Sequence, residues 1–350
     1  MTNVPRPKGP ATVASCGGPQ VRSLYHQPLA GLLARHSGRA EPNGGRELAR
    51  MRVIRAEQLT RAGSDANAAM QRHCVHTARC EIAGITVELC TDMPEVARLY
   101  GLRYADHPAT REPDFRYFVA TVRGGYAFWC SHAATWRWTQ GPLPSDAIVF
   151  LADSVALGAV IRFDVSLASM HASAVEYNGI AAAIAGHSAA GKTATLLACA
   201  RRGMRVYSDE RVLLRQTIVH PFLRRCSVRG AGARLLLADQ DADRLPDALR
   251  TLPQLSLKLC FGAEAIAPPR PLRALFAIAG TGHCAALELI DTAAALPAIT
   301  GWFDARGDMV DRVSRAIGML RKVRCYRLTL GTPDETAAAI GYALMRMNSE

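Results

Sequence analysis

The chain has 350 residues, of which 49% are hydrophobic, so it is long enough to bury one large core or two smaller ones without disulfides. The formal net charge is +12, and most of it lies in residues 1–79, which contain 12 Arg and Lys against 4 Asp and Glu. Because the basic residues are concentrated in this N-terminal part and do not form a stripe on a folded face, we do not expect nucleic-acid binding. No segment approaches the roughly 18 apolar residues of a membrane span, and the 10 cysteines form no C-x-x-C pair, so we expect a reduced, cytoplasmic protein with no membrane partner.

The first third of the chain predicts a leader and a small domain. Residues 1–50 contain PRPKGP, CGGPQ and EPNGGR, whose low apolar content predicts a disordered basic leader. The nearby side chains His73, Cys74, His76 and Cys80 match no common ligand spacing, and we assign no metal to them. Between residues 80 and 146, the β-type segments EIAGITVELC, FRYFVATV and GYAFWC are separated by Pro, Gly and Asp and predict a small α/β domain.

From residue 147 to 347, strands alternate with helices. An apolar helix is followed by two strands, ASAVEY and IAAAIA, around the turn dipeptide Asn178-Gly179. A helix from Gly191 to Arg202 precedes the strand RVYS, and later segments predict three strands (LRALFAIAG, CAALELI and CYRLTL) and helices over 292–303, 308–322 and 333–347. This alternation predicts an α/β core.

The octapeptide GHSAAGKT predicts a phosphate-binding loop. Its residues are Gly186, His187, Ser188, Ala189, Ala190, Gly191, Lys192 and Thr193, and they satisfy G-x-x-x-x-G-K-[ST]. Small residues let backbone N–H groups turn around phosphate oxygens, and the following helix presents its positive end to the same anion. Lys192, one of only four lysines, would contact the β- and γ-phosphates of a nucleotide, and Thr193 would bind Mg²⁺.

Two further segments place ionisable groups near this loop. The strand RVYS ends at Asp209 and Glu210, where a carboxylate would lie beside the γ-phosphate, although both can serve the site only if the strand ends or bulges there. His171 lies 15 residues before Gly186, and a hairpin turning at Asn178-Gly179 would return it to the loop.

These features together resemble the HPr kinase/phosphorylase family and its shorter relatives, including the kinases of lasso-peptide biosynthesis. His171, the loop, the segment LLACARRGMR and the acidic pair follow one another at the family's spacing. The resemblance covers residues 147–235 and continues more loosely through VRGAGARLLL and APPRPLRALFAIAG. It implies a mixed sheet with flanking helices, preceded by the small α/β region and the leader.

The resemblance also implies an activity and a role for each residue. The activity is ATP- and Mg²⁺-dependent phosphorylation of a serine on a peptide or small protein, with a lasso-peptide precursor as the expected substrate and a homo-oligomer as a possible assembly. Asp209 is similar to the base that accepts the hydroxyl proton, Glu210 to a second carboxylate that holds Mg²⁺, and His171 to a histidine near the reacting phosphate. Either Arg229 or Arg234 would neutralise the transferring charge.

Three departures from the family pattern keep other functions open. The chain has His187 and Ala189 where the family has Asp or a small residue and then Gly, so a positive φ at 189 would strain the loop. Glu210 replaces Asp, and the N-terminal portion does not resemble the sensor domain of the full-length enzymes. The alternatives are an ATP-binding regulatory module without kinase activity, and a small-molecule kinase or a relative of the phosphoenolpyruvate carboxykinases.

Overall fold

A computed structural model describes most of the chain after residue 67. The described residues are 68, 70–122, 124–130, 135–224, 226–227, 254–300 and 303–349. The predicted leader 1–50 and both candidate arginines, Arg229 and Arg234, lie outside them. No described helix is both long and apolar enough to cross a membrane.

The first sheet has five strands that lie in chain order. They are β1 (His76–Ile82), β2 (Ile85–Thr91), β3 (Phe115–Val122), β4 (Gly125–Cys130) and β5 (Thr135–Gln140). The predicted single segment EIAGITVELC is a hairpin, because Ala83 and Gly84 adopt φ of 52° and 84° and reverse the chain. Neighbouring strands of this sheet are antiparallel, except that β2 and β3 are parallel. Helix α1 (Pro94–Arg103) connects these two strands.

Helix α2 (Ser145–Phe163) leads from the first sheet to the second. It is apolar on nearly every side and buried along most of its length, as the sequence predicted for the helix after residue 147. The predicted domain boundary between residues 146 and 147 falls in its first turn, and it stays a prediction.

The second sheet has ten strands of mixed direction. They are β6 (Leu167–Met170), β7 (Ala172–Tyr177), β8 (Ile180–Ala185), β9 (Arg205–Ser208), β10 (Val212–Arg215), β11 (Ile218–His220), β14 (Arg270–Thr281), β15 (Ala286–Ile290), β16 (Phe303–Ala305) and β17 (Arg324–Leu330). Strand β14 is central and runs parallel to β8 on one side and β17 on the other. A separate pair joins β12 (Cys226–Ser227) to β13 (Gln254–Leu255).

Helices cover both faces of this sheet, so the fold is mixed α/β. They are α3 (Lys192–Arg201), α4 (Leu257–Phe261), a 3-10 turn (Ala263–Ala265), α5 (Thr292–Thr300), α6 (Met309–Leu320) and α7 (Pro333–Asn348). Ala182 and Ile184 of β8 pack with α3 and α7, whereas the alternate residues Ala181, Ala183 and Ala185 belong to the cluster with α5 and α6. Burial on both faces explains why the sequence of β8 is uninterruptedly apolar.

Candidate functional site

Three strand ends meet at one edge of the second sheet. The hairpin of β7 and β8 turns at Asn178 and Gly179, with φ of 50° and 83°, and its register pairs Ala172 with Ala185. The residue before β7, His171, therefore lies beside the loop that follows β8, as the sequence predicted. Strand β9 pairs with β7 and ends at Ser208, opposite Ala174, so Asp209 emerges at the same edge.

The loop between β8 and α3 has a tightly constrained backbone. A Cβ on Gly186 would lie 3.2 Å from the Cβ atoms of Ala190 and Ile278, and one on Gly191 would lie 2.8 Å from Leu330 Cδ1. Gly191 has φ of 98°, and Ala189 also adopts a positive φ of 66°. The strain expected at position 189 is therefore present, because a left-handed conformation is unfavourable for alanine.

We expect Ala189→Gly to stabilise the fold by about 1 kcal/mol, because glycine adopts the left-handed conformation without a Cβ penalty. Ala190, which is not among the residues of positive φ, provides the matched control. Ala190→Gly should destabilise by a similar amount through the added entropy of the unfolded chain. Urea unfolding of both variants measures this, and a loss of stability in Ala189→Gly would contradict the strain.

The side chain of Lys192 lies across the loop. It is 6% exposed, and its Nζ donates hydrogen bonds to the carbonyl oxygens of Gly186 at 2.9 Å and His187 at 2.8 Å. Burial lowers the pKa of Lys192, while the carboxylates of Asp209 and Glu210 act in the opposite direction. Two backbone carbonyl groups thus hold the ammonium group at the centre of the loop, where phosphate oxygens could take their place.

The N-terminal end of α3 offers hydrogen-bond donors to the same space. Its N-cap, Gly191, provides no side-chain cap, and the first turn contains no acidic residue. The first N–H groups of a helix have no acceptor within the helix, and the helix dipole makes this end positive. The end of α3 is therefore suited to a phosphate group.

Asp209 connects the loop helix to the strand edge. It is 3% exposed and accepts hydrogen bonds from Ser173 Oγ at 2.7 Å and from Thr193 Oγ1 at 2.8 Å. Burial raises the pKa of Asp209 and the nearby Glu210 raises it further, whereas the two hydroxyl groups and Lys192 lower it; the net direction is upward. The carboxyl group is thus a stronger base than an exposed aspartate.

The chain turns sharply after Asp209, so the two acidic side chains are not directed to opposite faces of the sheet. Glu210 has φ of 66°, so the strand has ended and the acidic pair does not alternate across the sheet. The Glu210 carbonyl oxygen lies 2.8 Å from His171 Nδ1, which must therefore carry a proton and donate it. The structure brings His171, Lys192, Thr193, Asp209 and Glu210 together at one edge.

The His171 ring is neutral around pH 7. Burial, followed by the positive charges of Lys192 and Arg211, lowers its pKa to about 4. Because Nδ1 donates to the Glu210 carbonyl, the neutral ring has its lone pair on Nε2. His171 can therefore accept a hydrogen bond at Nε2 without adding charge to the site.

The depressed pKa of His171 predicts a loss of stability in acid. The unfolded histidine takes up a proton near pH 6.5 and the folded one only near pH 4, so the unfolded state binds more protons within this window. Stability is therefore lost as the pH is lowered through it. Between pH 7 and pH 5, the free energy of unfolding should fall by about 2 kcal/mol more in the wild type than in His171→Gln. Urea unfolding at the two pH values measures the difference, and equal slopes would contradict it.

The oxygen atoms at this edge fit a magnesium ion. The Thr193 hydroxyl and the Asp209 carboxylate are 2.8 Å apart, and Glu210 is the next residue. Mg²⁺ prefers one or two protein oxygen ligands together with phosphate oxygens and water. Within the described part of the chain, no group of three or more His, Cys, Asp or Glu side chains could hold a metal ion by itself, so phosphate oxygens would have to contribute.

Sequence reasoning missed three residues that belong to the site or support it. Ser173 could have been found, because it lies two residues after His171, and side chains two positions apart in extended chain point to the same side. No sequence motif marks Arg224 or Asp153 as a site residue, because tertiary packing brings them near Glu210 from other parts of the chain. Arg224 Nη2 lies 3.7 Å from Glu210 Oε2, and Arg224 Nη1 is hydrogen-bonded to Asp153.

The structural comparison returns a kinase/phosphatase whose overall similarity to this chain is weak. No family model and no curated protein matches the sequence. A solved structure of the Hpr(Ser) kinase/phosphatase from Coxiella burnetii is similar to 52% of this chain and 93% of its own, with 11% identity and a TM-score of 0.27. A score this low adds nothing to what the contacts show, and the function is inferred from those contacts.

Proposed function

We propose that the chain is an ATP-dependent kinase that transfers the γ-phosphoryl group to a serine hydroxyl of a peptide or small protein. The observation that carries the proposal is the 2.8 Å hydrogen bond from Thr193 to the buried Asp209 at the start of α3. A glycine-rich turn that merely joined a strand to a helix would need no carboxylate there. A loop that holds phosphates beside a carboxylate has the parts that phosphoryl transfer needs.

The loop and its helix would hold the triphosphate. Lys192 would exchange its two carbonyl partners for β- and γ-phosphate oxygens, and the N–H groups at the start of α3 would bind the same anion. Thr193 and Glu210 would hold Mg²⁺. The hydrogen bond that Thr193 Oγ1 donates to Asp209 would orient the hydroxyl oxygen for this role. When bound, the ion supplies positive charge to the phosphate oxygens.

Asp209 would act as the base. The substrate hydroxyl oxygen attacks the γ-phosphorus, the bond from that phosphorus to the bridging oxygen breaks, ADP leaves, and the hydroxyl proton passes to Asp209. The raised pKa of Asp209 favours this transfer. His171 Nε2 would accept a hydrogen bond from another N–H or O–H group of the substrate near the reacting phosphate and so help to orient the substrate.

The finer parts of the substrate assignment rest on the sequence resemblance alone. The serine acceptor, the lasso-peptide precursor and the homo-oligomer remain predictions, and so does the role of Arg229 or Arg234.

Mass spectrometry tests the function directly. The protein is incubated with Mg²⁺, ATP and candidate peptides, and a phosphate adduct on a peptide serine is expected. Binding of ATP without any adduct would instead support the regulatory module, which the strained Ala189 and the exposed His187 favour. A phosphorylated metabolite in place of a peptide would support the small-molecule kinase.

A further inference from the structure

A buried ion cluster lies next to the phosphate site. Asp153 of α2 is 2% exposed and accepts hydrogen bonds from Tyr104 and from two guanidinium groups, those of Arg103 at 3.2 Å and Arg224. The two arginines are 4% and 6% exposed. One carboxylate facing two buried cations leaves an excess positive charge, and an uncompensated buried charge is strongly unfavourable.

Glu210 supplies the missing negative charge. Arg224 Nη2 lies 3.7 Å from Glu210 Oε2, while Nη1 of the same group binds Asp153. Glu210 directly follows Asp209, and its carbonyl oxygen lies 2.8 Å from His171 Nδ1, so the residue lies at the phosphate site. A planar guanidinium can face two carboxylates at once with fixed geometry, which an ammonium group cannot do.

The chain segment that carries Arg224 is itself fixed. The Phe222 N–H donates to the Tyr207 carbonyl at 2.8 Å, and the Leu223 N–H donates to His107 Nε2 at 2.9 Å. Arg224 also packs over the Phe222 ring, with its Cζ atom 5.1 Å from the ring centroid. These contacts place the guanidinium between Asp153 and Glu210.

We propose that Arg224 is a positioning residue that orients the Glu210 carboxylate toward the metal and nucleotide, with Asp153 and His107 holding Arg224 in place. The inference rests on the proposed function, in which Glu210 helps to hold the metal. It assigns part of the small N-terminal α/β region, through His107, to support of the phosphate site. Arg103 contacts the same Asp153, but no contact joins it to Glu210 among the described residues.

Metal binding by the full-length protein tests the role of Arg224. Mn²⁺ replaces Mg²⁺, and its binding in the presence of ATP is followed by electron paramagnetic resonance. Arg224→Gln should weaken Mn²⁺ binding about tenfold, the effect typical of losing a partner that orients a metal ligand. Arg103→Gln is the matched control: it removes a buried guanidinium from the same Asp153 and should leave Mn²⁺ affinity within about twofold.

A double-mutant cycle separates positioning from general damage. In a Glu210→Gln background, Arg224→Gln should weaken Mn²⁺ binding no further, because the carboxylate that it orients is absent. Equal losses in Arg103→Gln and Arg224→Gln, or an undiminished loss in the Glu210→Gln background, would overturn the inference.

Failure of the proposed function gives a different result. If the wild type binds neither ATP nor Mn²⁺, the proposed function is wrong and the metal-positioning role fails with it. The double-mutant cycle of Arg224→Gln and Glu210→Gln can then be measured by urea unfolding without nucleotide. It still decides whether the two side chains interact. If that measurement shows no coupling between the two substitutions, the pairing of Arg224 with Glu210 is refuted.

Discussion

Lys192→Met is expected to abolish phosphoryl transfer while leaving the protein folded. The ammonium group supplies positive charge at the centre of the loop, and removing one preorganised charge stabiliser from an active site costs about 100- to 1,000-fold in rate. Methionine has a similar length and no charge. Burial lowers the pKa of Lys192, so its charged form is unfavourable in the folded protein. Removing that charge should offset the loss of the hydrogen bonds to the Gly186 and His187 carbonyls, and the protein should stay folded.

The measurement compares ATP affinity by calorimetry and phosphate transfer by mass spectrometry. Lys322→Met is the matched control, because it changes the net charge equally at an exposed lysine on the turn after α6. It should retain both properties. Normal transfer by Lys192→Met, or an equal loss in both variants, would show that Lys192 has no specific role at the phosphates.

The phosphate loop could be predicted from the sequence because its requirements are local. Gly186 and Gly191 are needed for close packing and a positive φ, and the residues on either side form a strand and a helix through their own apolar pattern. The turn at Asn178-Gly179 is equally local and returns His171 to the loop. In each case a short segment determines its own geometry.

The partners of the acidic pair could not be predicted, because they depend on tertiary packing. Asp209 was expected at a strand end, but its hydrogen bond to Ser173 depends on the pairing of β7 with β9, with a shift of register between Ala174 and Val175. The contact of Arg224 with Asp153 joins residues 71 positions apart. Patterns of local hydrophobicity carry no information on such pairs.

The positive φ of Glu210 could not be predicted from the sequence either. A Ser-Asp-Glu-Arg segment is compatible with a continuing strand, in which the two carboxylates would face opposite sides of the sheet. The left-handed conformation at Glu210 instead ends the strand and brings its carbonyl to His171. Both acidic residues therefore lie at one edge of the sheet. The sequence indicated only that this would require the strand to end or bulge there.

Asp209→Asn is expected to eliminate phosphoryl transfer and to retain ATP binding. Loss of a general base typically costs about 100- to 10,000-fold, and asparagine cannot accept the hydroxyl proton. The contacts that would hold the nucleotide through the loop and Lys192 do not involve the Asp209 side chain. The amide can still accept a hydrogen bond from Thr193 or Ser173, so the local structure should persist.

The pH dependence of stability gives Asp209 a second, independent signature. Its folded pKa lies above the unfolded value, so the folded state binds more protons, and the protein loses stability as the pH rises from the unfolded pKa through the folded pKa. Above the unfolded pKa the buried carboxyl group therefore destabilises the fold, and at pH 7 Asp209→Asn should raise the free energy of unfolding. Asp164→Asn is the control, because Asp164 pairs with Arg215 and its pKa is lowered, so that variant should be less stable than the wild type.

An inactive but more stable Asp209→Asn variant is what a buried catalytic base predicts, because catalytic groups are often held in environments that disfavour their charge. Urea unfolding at pH 7 and phosphate transfer measured on the same preparation distinguish this from a structural role. A structural carboxylate would lose stability when replaced, and any reduction in transfer would then follow the unfolded fraction. Transfer at the wild-type rate by a folded Asp209→Asn variant would exclude Asp209 as the base.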